Sequence, residues 1–214
     1  MIRLYDYWRS SAAYRVRIAL HLKGCPFETV PVNILPGADE QLGDGYRGIN
    51  PQMRVPAIEV DARISGQSMA IIEWIDETVP GPSLLPEDAW QRLKARAFAD
   101  IIACDIHPLN NLSPLAVLRR DFGADDTAIK RWYQDWIVRG FQALEAMATE
   151  PRYSVFLFGD APGLAEIALV PQMANARRFE TDLSAFPKLV ELDSICRALD
   201  AFQRAAPESP AKPG

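Results

Sequence analysis

The sequence has few of the residues from which disulfide frameworks and metal centres are built. It contains three cysteines, Cys25, Cys104 and Cys196, without C-x-x-C spacing, and two histidines. Three scattered cysteines do not form a disulfide framework, so we expect a reducing compartment, the cytoplasm. So few cysteines and histidines also predict no zinc or other metal site. Any catalysis should therefore depend on other groups.

Long apolar runs and an excess of positive charge are also missing. No run approaches roughly 18 apolar residues, and the first residues lack the pattern of a secretion signal, so neither a membrane span nor secretion is expected. The net charge of −5 argues against a general nucleic-acid binder, whose affinity rests on neutralising phosphates. Arginines nevertheless cluster between residues 9 and 17. Such a cluster in an acidic chain suits a small anionic ligand.

The first 80 residues alternate between strand and helix patterns. Residues 2–7 alternate apolar and polar side chains, whereas residues 12–22 have apolar residues at helical spacing. Further along, the pattern predicts a strand over 27–34, a short helix over 39–48, strands over 57–61 and 63–65, and a helix over 69–78 opened by Ser68. This order predicts a small mixed sheet with helices on its faces.

The rest of the chain has only helical patterns. The predicted helices cover residues 89–107, 115–122, 126–147, 164–178 and 189–202. A short proline-rich linker, residues 80–86, precedes them. We therefore expect an α/β domain over residues 1–80, an all-helical domain over 87–205, and a disordered tail over 206–214 that lacks apolar anchors.

Two hydroxyls, Ser10 and Ser11, lie where the first strand ends and the first helix begins. A helix start has unpaired N–H groups and the positive end of the helix dipole, so it favours a thiolate over its thiol. No cysteine lies in this segment, so a thiol acting here must come from a ligand, and we expect glutathione. Arg15 and Arg17 follow, and their alternative role is to pair with acids across a domain or dimer boundary.

Two other segments suggest how a peptide ligand is held. A cis bond at Val55-Pro56 would turn the backbone of Val55 toward a bound peptide, although a trans bond is the commoner alternative. Gln67 and Ser68 stand at a predicted helix N-terminus, where a γ-glutamyl carboxylate could be received. An ordinary serine cap is the alternative for Ser68.

Five segments, in the same order along the chain, resemble the glutathione transferase superfamily and within it the zeta class. The most specific is Ser10-Ser11-Ala12-Ala13-Tyr14-Arg15-Val16-Arg17-Ile18-Ala19-Leu20. The others are Asn50-Pro51 to Val55-Pro56, Gln67-Ser68-Met69-Ala70-Ile71-Ile72-Glu73-Trp74, Ile106-His107-Pro108-Leu109-Asn110-Asn111-Leu112-Ser113, and Leu169-Val170-Pro171-Gln172 to Ala176-Arg177-Arg178-Phe179. The resemblance covers residues 1–205.

This resemblance implies a fold, a cofactor and an activity. The fold is a thioredoxin-like α/β N-terminal domain plus an all-α C-terminal domain, in a homodimer that binds glutathione at the domain junction. The activity is the glutathione-dependent cis–trans isomerisation of a maleyl keto acid, maleylacetoacetate or maleylpyruvate, to its fumaryl isomer in aromatic catabolism. The substrate is then a small dicarboxylate.

The resemblance also implies roles for particular residues. Ser10, with Ser11 beside it, matches the position whose hydroxyl donates to the glutathione sulfur. Arg9 and Arg178 match arginines that receive substrate carboxylates. The remaining residues of the implied glutathione site are Arg15, Gln41, Val55, Pro56, Gln67 and Ser68 in the first domain and His107, Asn111 and Ser113 in the second.

The sequence departs from the family pattern at three places, one of them Tyr14 in place of a tryptophan, and it leaves the substrate open. Ala12 replaces a cysteine, and Gly163 replaces the Thr or Ser of an N-terminal capping box. Ser113 favours the maleylacetoacetate type, whereas Ala12 favours the maleylpyruvate type. A general transferase or dehalogenase and a non-catalytic thioredoxin-fold binding module are the other hypotheses. The Ser10 hydroxyl and the two arginines favour catalysis, because a scaffold has no need of them.

Overall fold

The computed structural model describes residues 1–150 and 154–207. Most of the predicted disordered tail, from residue 208 on, lies outside the described residues. The described residues form two compact units: unit 1 is Met1–Ser83 together with residues 199–207, and unit 2 is Leu84–Ala198. Residues 199–205, which the sequence pattern grouped with the helical domain, thus belong with unit 1. In the described part of the chain, no helix is long and apolar enough to cross a membrane.

Unit 1 is built on a four-stranded mixed sheet. Its strands are β1 (Ile2–Asp6), β2 (Phe27–Pro31), β3 (Ala57–Val60) and β4 (Arg63–Gly66), in the order β2-β1-β3-β4. β1 pairs in parallel with β2 and antiparallel with β3, which pairs antiparallel with β4. This arrangement confirms the predicted thioredoxin-like fold.

Three helices of unit 1 follow the strands: α1 (Ser11–Leu22), α2 (Asp44–Ile49) and α3 (Ser68–Thr78). The single predicted helix over 39–48 is wrong, because the extended backbone of Gly43 separates a 3₁₀ turn, Glu40–Leu42, from α2. The first ten residues of α1, 11–20, are all buried. A helix that is buried all round lies inside its unit, so its N-terminus is held in a fixed position.

In its described residues, 84–150 and 154–198, unit 2 has helices and no strand, as predicted. Its helices are α4 (Ala89–Asp100), α5 (Leu112–Phe122), α6 (Asp126–Ala148), α7 (Leu164–Arg178) and α8 (Pro187–Arg197), and a π-helical turn, Ile101–Ile106, continues α4. The buried side chains of α6 recur at helical spacing and include Ile129, Tyr133, Ile137, Phe141 and Leu144.

A final helix, α9 (Asp200–Ala205), returns to unit 1 and packs against α1. The sequence pattern predicted one helix over 189–202. Instead, α8 ends at Arg197 and the extended backbone of Leu199 precedes α9. Phe202 is buried, and the Tyr14 hydroxyl donates to its carbonyl at 3.5 Å.

Candidate active site

Ser10 is the N-cap of α1, as the sequence predicted. Its backbone is extended, and its Oγ accepts a hydrogen bond from the Ala13 N–H at 3.2 Å. The carbonyl of Ser10 accepts the Tyr14 N–H at 2.8 Å, which fixes the turn from β1 into the helix. Because the oxygen is used as an acceptor, the hydroxyl proton can be donated to a ligand at the positive end of α1. Ser11 is buried in the first turn.

Arg9 precedes Ser10 and lies over aromatic rings. Its Cζ is 5.5 Å from the centroid of the Trp8 ring and 6.0 Å from that of Tyr7. Cation–π contacts of this kind restrain a long side chain that is partly exposed. Arg9 therefore places a positive charge next to the N-terminus of α1.

Arg15 and Ser68 meet inside unit 1. The guanidinium of Arg15, only 1% exposed, donates through Nη1 to the Ser68 Oγ at 3.4 Å. Ser68 is the first residue of α3, and Gln67 is the N-cap residue. The assignment of Ser68 as the cap is therefore wrong, but both residues do stand at a helix N-terminus. A buried cation and the start of α3 together favour a carboxylate there.

Gln67 has an unusual backbone conformation, with φ 70° and ψ 105°. Positive φ is uncommon for a residue other than glycine, and such residues occur most often at functional sites. The side chain is exposed, and its Nε2 donates to Oε1 of Gln52 at 2.7 Å. The side-chain amide of Gln67 therefore lies beside the start of α3.

The Val55-Pro56 bond is cis, the less common of the two alternatives. Arg54, the residue before Val55, is held by two donors. Its carbonyl accepts hydrogen bonds from the Tyr46 hydroxyl at 2.8 Å and from Nδ2 of Asn50 at 2.7 Å. Pro56 is buried and Val55 is partly exposed just before β3. Tyr46 and Asn50 thus position this segment, a role that the sequence alone did not indicate.

Gln41 lies in the 3₁₀ turn and is buried, 8% exposed. Among the described residues, its side-chain oxygen Oε1 has no hydrogen-bond partner. A buried acceptor without a donor is costly, so the site suits a ligand that carries an N–H group. The amides and the ammonium group of glutathione are donors of this kind.

Three of the residues of unit 2 that the sequence singled out lie between the π-helical segment and the first turn of α5. His107 ends the π-helical segment, and its N–H donates to the Ile102 carbonyl at 2.9 Å. Asn111 is the N-cap of α5, where its Oδ1 accepts the Leu112 N–H at 2.7 Å. The predicted start of this helix at residue 115 is wrong because of that cap. Ser113 therefore lies in the first turn of α5 and is exposed.

Arg178 is the last residue of α7 and is exposed. Its Cζ lies 4.7 Å from the centroid of the Phe179 ring. A cation at a helix C-terminus is stabilised by the dipole.

At the N-terminus of α7, position 163 has room only for glycine, because a Cβ there would come within 2.6 Å of the Leu84 carbonyl oxygen. Glu166 completes the cap by accepting the Gly163 N–H at 2.9 Å.

Arg17 differs from the expectation of a pair across a boundary. It forms a salt bridge with Asp6 of its own unit, with Nη1 2.6 Å from Oδ2. Its Nε also donates to the Ala205 carbonyl at 2.9 Å. Arg17 therefore joins α1 to the end of β1 and to α9.

Comparisons with known proteins agree with this fold. The family described as glutathione S-transferase, N-terminal domain, matches residues 9–78. A maleylpyruvate isomerase from Ralstonia sp is 48% identical over 207 residues, which are 96% of this chain and 97% of that protein.

Two solved structures are similar over nearly the whole chain. One is a holo structure of a maleyl pyruvate isomerase, described as a bacterial zeta-class glutathione S-transferase, with a TM-score of 0.94, 47% identity and coverage of 99% of this chain and 100% of that one. The other is a maleylacetoacetate isomerase from Methylobacterium extorquens AM1 with bound malonate and GSH, with a TM-score of 0.92, 34% identity and the same coverage.

A thioredoxin-like unit followed by an all-helical unit is the two-domain arrangement of the glutathione transferase fold. The chain belongs to the glutathione transferase family, and its likeness over full length places it in the zeta class. The resemblance inferred from five sequence segments is therefore confirmed. The roles of the individual site residues stay predictions.

Proposed function

We propose that the protein is a glutathione-dependent cis–trans isomerase that converts maleylpyruvate or maleylacetoacetate to its fumaryl isomer in the breakdown of aromatic compounds. The observation that carries this proposal is the Ser10 hydroxyl, placed at the N-terminus of a buried helix in a segment without any cysteine. Besides capping the helix, this hydroxyl can donate its proton to a thiolate, and with no cysteine in the segment that thiolate has to come from a ligand. The names of the relatives supply the substrate class.

Glutathione fits the residues of unit 1. The γ-glutamyl carboxylate of glutathione suits the start of α3, where the Arg15 guanidinium contacts Ser68. The buried Gln41 oxygen suits one of the N–H groups of glutathione. We assign Val55, Pro56 and Gln67 to the same site. When bound, glutathione supplies a thiolate that adds to the double bond, allows rotation about the resulting single bond and leaves again unchanged.

Ser10 stabilises the thiolate. A free thiol has a pKa of about 8.5, and lowering it by about 2 units requires about 2.7 kcal/mol. A hydrogen bond from a hydroxyl to a charged group contributes about 1.5 to 3 kcal/mol, and a helix dipole contributes up to about 2 kcal/mol. The two together are sufficient. Ser11 forms the same helix start, and we assign it a supporting role.

We assign Arg9 and Arg178 to the carboxylates of the substrate, and we keep His107, Asn111 and Ser113 as further candidate residues. A guanidinium binds a carboxylate through two parallel hydrogen bonds, which fixes orientation better than an ammonium group does. Negative charge also develops on the keto oxygen during addition, so a nearby cation lowers the barrier. The arginines thereby select doubly charged substrates.

The substitution Arg178→Met tests this assignment. We expect a loss of about 30- to 1000-fold in kcat/KM for the maleyl substrate, because the lost contact strengthens as charge develops. Conjugation of glutathione to a neutral chlorinated aromatic compound should be retained. Steady-state kinetics with maleylpyruvate, maleylacetoacetate and the neutral compound measure both.

Arg131→Met, which removes an exposed arginine of α6, serves as the matched control and should change neither activity. Equal losses of Arg178→Met on both kinds of substrate would contradict the role of Arg178. A wild-type protein that conjugates the neutral compound but isomerises neither maleyl acid would be a general transferase.

We also propose that the protein acts as a homodimer in the cytoplasm. An apolar cavity of about 410 Å³ between β4 and α3 supports the dimer. The described cysteines, Cys25, Cys104 and Cys196, are thiols and not disulfides, which suits a reducing compartment.

A further inference from the structure

Arg178 is the first member of a stack of three side chains. Its guanidinium lies over the ring of Phe179, with Cζ 4.7 Å from the centroid. The Phe179 ring in turn lies face to face with the Tyr133 ring, with centroids 3.5 Å apart and planes 11° apart. Phe179 therefore contacts both the exposed arginine and a buried aromatic side chain of α6.

The helix α6 holds the end of α7 in place. Nε2 of Gln134 donates to the carbonyls of Phe179, at 2.8 Å, and Glu180, at 3.1 Å. Lys130 forms a salt bridge with Glu180. Because the backbone on the C-terminal side of Arg178 is bound at two carbonyls, the Phe179 ring has a fixed support rather than the mobility of a fraying helix end.

Tyr133 provides a rigid, neutral base for the stack. The residue is 5% exposed, and burial raises the pKa of its hydroxyl to about 12, although the charge of Arg178 opposes this rise. The phenol therefore stays uncharged at neutral pH. Its influence on Arg178 is that of a ring and not of an ion pair.

The same part of α6 also holds the turn that contains His107 and Asn111. Nδ2 of Asn110 donates to the Tyr133 carbonyl at 3.2 Å, and Nε1 of Trp132 donates to the Leu109 carbonyl at 2.9 Å. Residues 132–134 of α6 therefore hold both groups of predicted site residues in unit 2. One group is the turn with His107 and Asn111, and the other is Arg178 at the end of α7.

We propose that Phe179, supported by Tyr133, is a positioning residue that holds the guanidinium of Arg178 ready for a substrate carboxylate. This inference rests on the proposed function only in that Arg178 receives a carboxylate. An exposed arginine loses rotamer freedom when it binds a ligand, and a ring that restrains it beforehand reduces that loss. Phe179 then affects the affinity for the dicarboxylate and leaves the thiol chemistry unchanged.

The substitution Phe179→Leu, which removes the ring but keeps an apolar side chain, tests the proposal. We expect KM for the maleyl substrate and Kd for malonate, measured calorimetrically with glutathione present, to rise about 3- to 10-fold. The kcat should stay within about twofold of wild type, and conjugation of a neutral chlorinated compound should not change. Phe179→Tyr, which keeps the ring, should restore both constants.

A double-mutant cycle separates positioning from a general structural role. If Phe179 acts through Arg178, Phe179→Leu has no further effect on malonate binding in an Arg178→Met background. The same loss in that background, or an equal loss with the neutral compound, would overturn the proposal.

Replacing Phe179 with pentafluorophenylalanine keeps the shape of the ring and removes its negative face. This replacement covers the case in which Phe179→Leu does not fold. Weaker malonate binding is expected, and unchanged or tighter binding would refute positioning by a cation–π contact.

The malonate measurement also distinguishes this inference from the proposed function. A wild-type protein that isomerises neither maleyl acid but binds malonate through Arg178 and Phe179 would refute the isomerase function alone. A wild-type protein that binds no malonate would overturn the role of Phe179.

Discussion

At the scale of single residues, Ser10 combines a structural and a chemical role. Its oxygen caps α1 through the Ala13 N–H, while its proton is the group we assign to the glutathione sulfur. We expect Ser10→Ala to raise the pKa of bound glutathione toward the ordinary thiol value and to reduce turnover far more than glutathione affinity. The ultraviolet absorbance of the thiolate, followed against pH, measures the first effect, and calorimetry measures the affinity.

Loss of the cap itself needs its own control, because removing an N-cap serine costs about 1 kcal/mol of stability. Asp125→Ala removes a comparable cap, on α6, without touching the thiol site. That variant should lose stability and keep the thiol pKa. If Ser10→Ala titrated like wild type, the activating group would be Ser11 or the helix dipole alone.

At the scale of elements, α1 depends on one buried ion pair. The side chains of Arg17 and Asp6 are 9% and 5% exposed, and Arg17 also donates to the carbonyls of Trp8 and Ala205. Replacing Arg17 by Met leaves a buried carboxylate without its partner, which should cost about 3 to 5 kcal/mol in the free energy of unfolding. Arg3→Met is the control, since Arg3 pairs at the surface with Glu28 and Glu59, and this substitution should lower the free energy of unfolding far less.

The pH dependence of Arg17→Met has a definite sign. Burial already raises the pKa of Asp6, and Arg17 opposes this rise, so its removal should raise the pKa further. A carboxyl with a raised folded-state pKa destabilises the fold above that pKa, and the penalty disappears as the pH falls through it. In urea unfolding, the difference from wild type should therefore shrink in mildly acidic buffer. A difference that grows on acidification would contradict this account.

The order of elements followed from the sequence, whereas several details of the site did not. Periodicity and cap residues predicted the sheet, the helical unit and Ser10 at the start of α1, because these depend on local pattern. The positive φ of Gln67 leaves no such signal, since glutamine is not typical of that conformation. The π-helical turn interrupts a continuous apolar pattern, and it packs against Gly140, which has no room for a Cβ beside Ile106.

The stack of Tyr133, Phe179 and Arg178 was hidden for the same reason. Its members come from two helices and meet only through tertiary packing, so no spacing along the chain indicates it. Phe179 lay within a matching segment, but the match gave it no role. Gly163 is a related case. Only glycine fits at this position because a Cβ would clash with the carbonyl of Leu84, which is distant in the sequence.

At the scale of the whole molecule, the β4–α3 face of unit 1 is the surface through which we propose that two copies associate. Its cavity is lined by apolar residues, among them Ile64, Ile71 and Trp74, and Ile64 is 39% exposed. Asp61 and Arg63 line the same cavity, and in a two-fold interface the acidic residue of one copy can meet the basic residue of the other. A two-fold dimer would also cover the edge strand β4.

Ile64→Lys tests this interface. A charged side chain is costly to bury in an apolar interface, so we expect the dimer dissociation constant to rise at least about 30-fold. Leu35→Lys is the matched control, because Leu35 has nearly the same exposure, 38%, and does not line the cavity. Sedimentation velocity should show a dimer for wild type and Leu35→Lys and a monomer for Ile64→Lys at the same concentration. A monomeric wild type would refute the homodimer, and an Ile64→Lys dimer as tight as the control would move the interface to another face.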